Sequence, residues 1–479
     1  MFTPSSIIGR EQETALLEDY AASGKAEFIA LYGRRRVGKT FLIQNVFGNR
    51  LSFSMTGVIH GNAFAQMHAF VDALDMYGAP LDKTPDNWYA AFTALRHYLM
   101  RRITRGERCI VFIDELPCFD TPKSDFALAL GYFWNSWGAL QPELMLIVCG
   151  SSTSWMMSHV IDSHGGLHER ITHEIHLQEF SLRETEQYLL ANGFNWDRIA
   201  ITQAYMAVGG IPYYLASLSK SESLAQNFDR IFFASGSEMQ REFARFYSTM
   251  FTRPDPYIAI IEVLAHKHDG MTRDEIAQAI GKNANGRLTM MLKNLIDCDI
   301  IRFYRTKLKK ISQRNGIYQL CDMFSLFYFQ FLKNGTTDTH FWTNSLNTPA
   351  LNAWTGVSFE RVCMKHIQQI KNALRIDAIR TEFYSWRGTD EQSGSRAQID
   401  LVIERADRMV NICEAKFSMR EYSLSKEEYL KLQRRIGMFI EQTAYRGGVI
   451  PTMITSYPLT RNAYSEHIAA VVTLDDLFI

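Results

Sequence analysis

"EFIALYGRRRVGKTFLIQNVF", Glu27 to Phe47, decides the fold of the first half of this chain. Residues 27–32 form a short apolar run of strand length. Gly33 to Thr40 fits the spacing GxxxxGK[ST], and an apolar pattern of helical period follows. The spacing predicts strand, loop, helix. Each part has a physical task. Glycines let backbone N–H groups wrap around phosphates, and a helix N-terminus adds its positive dipole end. The loop residues Gly33, Arg34, Arg35, Arg36, Val37 and Gly38 would form the cradle. Lys39 would reach the β- and γ-phosphates, and the Thr40 hydroxyl would hold Mg²⁺.

A phosphate loop of this kind needs a second strand that ends in acid. "RCIVFIDELP" supplies five apolar residues and then Asp114 and Glu115. Asp114 is the expected magnesium partner, and Glu115 is placed to polarise an attacking water. "ELMLIVCGSSTSWM" reads as a further buried strand, after which Ser151 is either a γ-phosphate sensor or part of a plain serine-rich loop. Arg170, in "GGLHERITHEIHL", is either an arginine finger or a surface arginine. Strands are expected near 27–32, 51–56, 109–114, 144–149 and 173–177, with helical patterns between them. Such alternation argues an α/β fold with a parallel sheet.

At 479 residues the chain exceeds one ordinary core. With 47% hydrophobic and 21% charged residues it has a globular composition, and its net charge of +0 confines any nucleic-acid contact to local patches. The start, "MFTPSSIIGREQE", lacks the basic and apolar regions of a signal peptide, and no apolar run is long enough for a bilayer. The 7 cysteines show no CxxC pairing. A cytoplasmic protein with reduced thiols and no membrane segment is expected.

The pieces "IIGREQETALLEDY", "GRRRVGKT", "FIDELP", "CGSSTSWM", "LQEFSLRE" and "GGIPYYL" together resemble the archaeal-type ATPase family of the AAA+ superfamily. The resemblance covers about residues 5–235 and implies ATP as the nucleotide. It also implies a helical lid containing Gly209 to Leu215, with Gly9 and Arg10 near the adenine. A homo-oligomer is required if Arg170 acts in trans.

The middle of the chain changes character. "PYIAIIEVLAHKHDG", "MTRDEIAQAIG" and "NGRLTMMLKNLIDCDI" read as three helices, the second opened by a Thr272–Glu275 capping box. "IRFYRTKLKKISQRNGIYQL" then reads as a hairpin holding Arg302, Arg305, Lys307, Lys309, Lys310 and Arg314 with no acid. Three helices and a hairpin resemble a winged helix, and the basic hairpin would contact DNA phosphates or pack on neighbouring domains.

In "QIDLVIERADRMVNICEAKFS", Gln398 to Ser418, two apolar runs flank a charged turn, yet carry Asp400, Glu414 and Lys416. Strand alternation puts Glu414 and Lys416 on one face, and pairing across the turn can bring Asp400 alongside. Buried unpaired charges are costly. Two carboxylates that hold Mg²⁺ or Mn²⁺ and an ammonium that offsets developing charge would satisfy all three through phosphodiester hydrolysis. A Glu–Lys ion pair on a solvated face is the plainer alternative. The pattern, behind a helix carrying Glu360, resembles the PD-(D/E)XK nuclease fold over about residues 355–455. It departs at Ile399, where that fold usually has proline.

The expected architecture is therefore a P-loop AAA+ sheet over 1–180, a helical lid over 181–250, a winged helix over 251–320 and a nuclease-like α/β domain over 321–479. The resemblance of this whole order implies an ATP-dependent protein acting on DNA, in defence against foreign DNA or mobile-element biology. Two other readings stay open. One is a nucleotide switch whose nuclease-like domain only binds DNA or protein. The other is a chaperone-like ATPase.

Overall fold

The computed structural model describes residues 7–103, 106–161, 167, 170–305, 316–389, 394 and 396–479. The chain divides into two compact units, Met1–Glu179 and Phe180–Ile479.

In the first unit five strands form one sheet: β1 (Glu27–Tyr32), β2 (Leu51–Thr56), β3 (Cys109–Asp114), β4 (Leu144–Gly150) and β5 (His173–His176). Their order is β2-β3-β4-β1-β5, and every pairing is parallel. Parallel strands joined by helices are covered on both faces, so they read as continuous apolar runs rather than alternating ones. Every residue of β3 and β4 is buried. Phe28, Ala30, Phe53, Met55, Val111, Ile113, Leu146 and Val148 share one core with the helices Ala63–Met76, Trp88–Ile103 and Phe126–Ser136. The intervening Ile29, Leu31, Phe112 and Ile147 point to the other face by the two-residue period and are also buried. Because β4 lies between β1 and β3, the end of β4 comes between the loop that follows β1 and the acids that end β3.

The second unit begins with helices Leu182–Ala191 and Arg198–Val208. Ser181 and Glu184 close a reciprocal capping box on the first of them. Helices Asp255–Ala265, Arg273–Ala279 and Gly286–Asp297 follow, and the Thr272–Glu275 capping box forms as its spacing predicts. An antiparallel hairpin, β6 (Ile301–Arg305) and β7 (Gly316–Leu320), comes next. Phe228, Phe232, Phe327, Phe331, Trp342 and Trp354 then build an aromatic core. Beyond helix Pro349–Lys365 lies a five-stranded mixed sheet of β8 (Thr381–Thr389), β9 (Arg396–Arg405), β10 (Met409–Lys416), β11 (Gly448–Thr455) and β12 (Ala470–Thr473). Strands β8, β9 and β10 are antiparallel neighbours, while β11 and β12 continue parallel to β10. The parallel step from β10 to β11 needs a crossover, and helix Lys426–Thr443 provides it.

Within this unit the helix–hairpin stretch is tied to the mixed sheet by buried or half-buried cations. Arg387 on β8 donates to Glu275 at 3.0 Å and to the Gly270 carbonyl at 3.0 Å. Arg361 donates to the carbonyls of Leu320, at 3.1 Å, and His268. His366 joins the first helix as well: its Nε2 accepts from the Leu182 N–H at 2.9 Å. The lid, winged-helix and nuclease-like stretches expected from sequence thus all lie in one compact unit.

Candidate functional sites

The loop after β1 is built around backbone conformations that side chains disfavour. Gly33 has φ 144 and Gly38 has φ 94, and Arg36 takes the left-handed region at φ 74. At Gly33 a Cβ would lie 2.2 Å from the Leu177 carbonyl oxygen, so glycine is required by contact as well as by dihedral angle. Lys39, the first residue of helix Lys39–Phe47, folds back over the loop. Its Nζ donates to the carbonyls of Gly33 at 2.8 Å and Arg34 at 2.9 Å. Burial lowers the Lys39 ammonium below its ordinary value, against a countering pull from Cys149, Glu115 and Asp114. Arg34 is buried and faces Glu179 at 3.8 Å. In the same loop Arg35 is half-buried and Val37 is buried. Arg10 is buried too, and reaches the Val37 carbonyl at 3.2 Å and the Gln178 carbonyl at 2.7 Å. Its side chain therefore braces the phosphate loop; Gly9, beside it, takes a left-handed φ of 64.

Across the cradle, the Thr40 hydroxyl donates to Asp114 Oδ2 at 2.6 Å. A hydroxyl and a carboxylate oxygen meeting at a helix N-terminus form the hard oxygen donor set that Mg²⁺ takes, so these residues fit that ion. Asp114 ends β3 and is buried, and its Oδ1 accepts from the Glu115 N–H at 2.9 Å. Glu115 itself is left-handed, with φ 50, which turns its side chain toward the end of β4. There Ser151 donates to Glu115 Oε2 from its hydroxyl at 2.8 Å and from its N–H at 3.3 Å. Neither alternative raised by the sequence, a γ-phosphate sensor or a plain serine-rich loop, named Glu115, which is the partner of Ser151 here.

Arg170 lies elsewhere. Its Nε donates to Asn135 Oδ1 at 2.5 Å, and two residues on, the Thr172 N–H meets the Phe28 carbonyl at 2.8 Å. Phe28 is five residues before Gly33, about 16 Å along a strand. Arg170 is thus at the sheet edge opposite the phosphate loop.

In the second unit, Leu401 of β9 pairs with Cys413 of β10, and the register carries Asp400 opposite Glu414. Between Tyr384↔Val402 and Trp386↔Ile399 the pairing slips by one residue, so Ser385 alone opposes Asp400 and Leu401. This bulge was not legible in the sequence. Such bulges re-aim side chains. Here the Asp400 carbonyl accepts from Ser385 Oγ at 2.8 Å, and Asp400 Oδ2 accepts from the Ala415 N–H at 3.1 Å. Burial, then Glu414 and Glu360, push the Asp400 carboxyl well above its usual range. Glu360, from helix Pro349–Lys365, is raised by burial, against the pull of Arg361 beside it at 3.7 Å. Lys416 Nζ meets Glu414 Oε1 at 2.9 Å. Although burial opposes its charge, Glu414 and then Asp400 hold the Lys416 ammonium above its ordinary value. The structure therefore brings Glu360, Asp400, Glu414 and Lys416 into one electrostatic neighbourhood. Among the described residues no three carboxylate, histidine or cysteine side chains are gathered closely enough to hold a metal ion. Asp400 and Glu414 remain an oxygen-only pair of the chemistry that Mg²⁺ or Mn²⁺ accepts.

Arg435 was missed. It comes from helix Lys426–Thr443 and ion-pairs with Glu414 Oε2, the oxygen Lys416 leaves free. A signal existed: Leu432, Ile436 and Phe439 are the buried stripe of that helix, and position 435 falls on it at helical spacing.

Of the two alternatives for the basic hairpin, Arg302 takes the packing one. Arg302 is not part of an open basic patch. It is half-buried, donating to Gln319 Oε1 at 2.7 Å and Ser385 Oγ at 3.0 Å, and burial lowers its guanidinium to about 10. It buttresses the bulge beside Asp400. Arg305 ends β6, and Lys307, Lys309, Lys310 and Arg314 lie outside the described residues. Two basic surfaces went unnoticed. Exposed Arg380, Arg408 and Arg446, with Arg405 and the acids Glu382 and Glu404, line a cavity of about 430 Å³ at one end of the mixed sheet, a net excess of two positive charges. Exposed Lys282 and Arg287 line another of about 320 Å³ at the start of helix Gly286–Asp297.

Residues 7–218 match the family model of an ATPase domain predominantly from Archaea. That match supports an ATPase domain of the archaeal type. An uncharacterised protein of Methanocaldococcus jannaschii is 24% identical over 327 residues, 68% of this chain and 68% of that protein. Among solved structures, the Walker-type ATPase of Pyrococcus abyssi is similar at 17% identity and TM-score 0.48, over 68% of this chain and 96% of that one. The ORC2 protein of Aeropyrum pernix, in complexes with ADPNP and ADP, is similar at 13% identity and TM-score 0.41, over 76% and 97%. Among the described residues, no helix is long and apolar enough to cross a membrane.

Proposed function

We propose that this ATPase acts on DNA, and that its second unit cuts DNA in a metal-dependent reaction. The observation that carries the reading is the register of β9 and β10, which sets Asp400 opposite Glu414 with Lys416 on Glu414. A helix, three antiparallel strands, a crossover helix and a parallel strand hold that trio, an order that suits a PD-(D/E)XK nuclease-like fold.

In the first unit, the loop Gly33–Gly38 and Lys39 would hold the ATP phosphates, while Thr40 and Asp114 would hold Mg²⁺. The bound ion would shield phosphate charge. Glu115, anchored by Ser151, would take a proton from the attacking water. Arg170 sits too far from its own phosphate loop to serve it, so as an arginine finger it would serve a second copy. In the second unit, Asp400 and Glu414 would hold a divalent cation that activates water for attack at phosphorus. Lys416 would offset charge developing on the phosphate, and Glu360 would complete the acidic wall. The helices over 255–297 and the hairpin β6–β7 suit a winged helix, with Lys282 and Arg287 at the start of its third helix placed for DNA phosphates. Arg380, Arg408 and Arg446 offer a further phosphate-binding surface.

A second reading has its own support. Both oxygens of Glu414 already carry a cationic partner, which suits a unit that binds DNA or protein without cutting. The deciding experiment is cleavage of plasmid and linear DNA with Mg²⁺ or Mn²⁺, with and without ATP, beside Lys416→Ala and Lys39→Ala. Cutting that needs Lys416 supports the nuclease, and its dependence on Lys39 tests whether ATP gates it. No cutting alongside intact ATP hydrolysis selects the ATP-driven switch.

A further inference from the structure

We propose that Arg435 is a phosphate-contacting residue of the C-terminal site, held on Glu414 until a divalent cation takes its place there. The proposal rests on the metal-dependent reading of Asp400 and Glu414.

Arg435 stands on the inner stripe of helix Lys426–Thr443, where Leu432, Ile436 and Phe439 pack. A cation there needs a reason, because its charge is partly desolvated: the side chain is 29% exposed. Glu414 is not short of a partner, since Lys416 already holds its other oxygen at 2.9 Å. Two cations on one carboxylate are more than an ion pair needs. Charge across the site supplies the reason. Glu360, Asp400 and Glu414 face Lys416, Arg435 and Arg361, and with Arg302 near Glu360 and Glu428 near Lys416 the site holds four formal charges of each sign. A divalent cation between Asp400 and Glu414 would tip that balance to positive. It would also compete with Arg435 for the same Glu414 oxygen. Released, the guanidinium would remain in a positive site with its planar fork of donors free, and a phosphodiester is the anion that fork fits. Lys416, a compact point charge, would stay with Glu414.

The test uses the full chain with Arg435→Gln, which keeps much of the side-chain stem. Mn²⁺ binding is measured by calorimetry without DNA, and DNA binding is measured in Ca²⁺ across a salt series. The proposal expects Mn²⁺ to bind about tenfold more tightly, the equivalent of one lost competing ion pair of about 1.4 kcal/mol. It expects DNA to bind more weakly, with a log–log salt slope shallower by about one phosphate contact. A purely structural ion pair predicts Mn²⁺ affinity unchanged or weaker, and that result, or an unchanged salt slope, overturns the proposal. If Arg435→Gln does not fold, Arg435→Lys carries the test. Charge without the fork should keep Mn²⁺ affinity yet weaken DNA binding severalfold, about 1 kcal/mol; unchanged DNA affinity overturns it. Failure of the wild type to cut any DNA would refute the nuclease reading alone, because neither binding measurement depends on cleavage.

Discussion

Replacing Gly33 by alanine is the sharpest test of the phosphate loop. The added Cβ would lie 2.2 Å from the Leu177 carbonyl oxygen, where ordinary contact begins near 3.4 Å, so loop and β5 exit must part by about 1.2 Å. Neither side yields easily. Leu177 is pinned by its N–H to the Tyr32 carbonyl at 2.8 Å, one residue before the loop. A φ of 144 adds strain of about 1–3 kcal/mol for any residue with a side chain. The carbonyls of Gly33 and Arg34 also anchor Lys39, so movement of the loop moves the ammonium. A displacement near 1 Å in a positioning group costs about 10²-fold in rate. Gly33→Ala should therefore lower ATP hydrolysis about 100-fold at saturating ATP, with the chain still folded by circular dichroism. Gly24→Ala is the control: its φ is 64, but nothing lies within 4 Å of the added Cβ. It should carry only backbone strain of about 1 kcal/mol and hydrolyse ATP normally. Hydrolysis by Gly33→Ala within about threefold of the wild type, some 0.7 kcal/mol, would refute the steric argument.

Three further outcomes follow from the geometry. Glu115→Gln should retain ATP binding and lose about 10²–10⁴ in hydrolysis, whereas Ser151→Ala, which only frees Glu115, should lose about tenfold; equal losses in single-turnover assays would contradict the positioning role of Ser151. Arg170→Ala and Lys39→Ala, each inactive alone, should recover hydrolysis when mixed, because a finger worth about 10³ or more in rate would act in trans; no recovery at any ratio argues for a plain surface arginine. Asp400→Asn should be more thermostable than the wild type at neutral pH, by about 2 °C or more. Because the carboxyl is raised in the folded state, ionising it costs stability as pH climbs above its unfolded value near 3.9, so the melting difference should vanish below about pH 4 and grow toward pH 8. A pH-independent difference would deny the burial argument.

The nucleotide half was legible because its chemistry is local. Strand, loop and helix from Glu27 to Phe47 are consecutive in sequence, and all five strands fall within a residue of their expected limits. A phosphate loop works through its own backbone, so the residues that build it must be neighbours in the chain. What stayed hidden there depends on strand order. The place of β4 between β1 and β3 is what delivers Ser151 to Glu115, and no spacing along the chain records which strands pair. Arg10 is a similar case: its partners Val37 and Gln178 are 27 and 168 residues away.

The C-terminal site divides along the same line. Asp400, Glu414 and Lys416 sit on adjacent strands joined by a short turn, so strand period and hairpin pairing were enough to bring them together. Their control comes from outside the hairpin. Arg302 arrives from β6 and reaches Ser385 at the bulge, Arg361 comes from the preceding helix, and Arg435 comes from the crossover helix. In the sequence each is one arginine among many charges, and burial alone distinguishes them. Arg302 shows why a basic stretch is weak evidence for a nucleic-acid surface. The other charges along its hairpin are cations, but its partners in space include Gln319 and Ser385, 17 and 83 residues away. The link Arg302–Ser385–Asp400 joins the hairpin to the backbone of the central carboxylate. Arg302→Met, which keeps volume but removes the donors, would therefore be felt at Asp400 before it is felt at any DNA-facing surface.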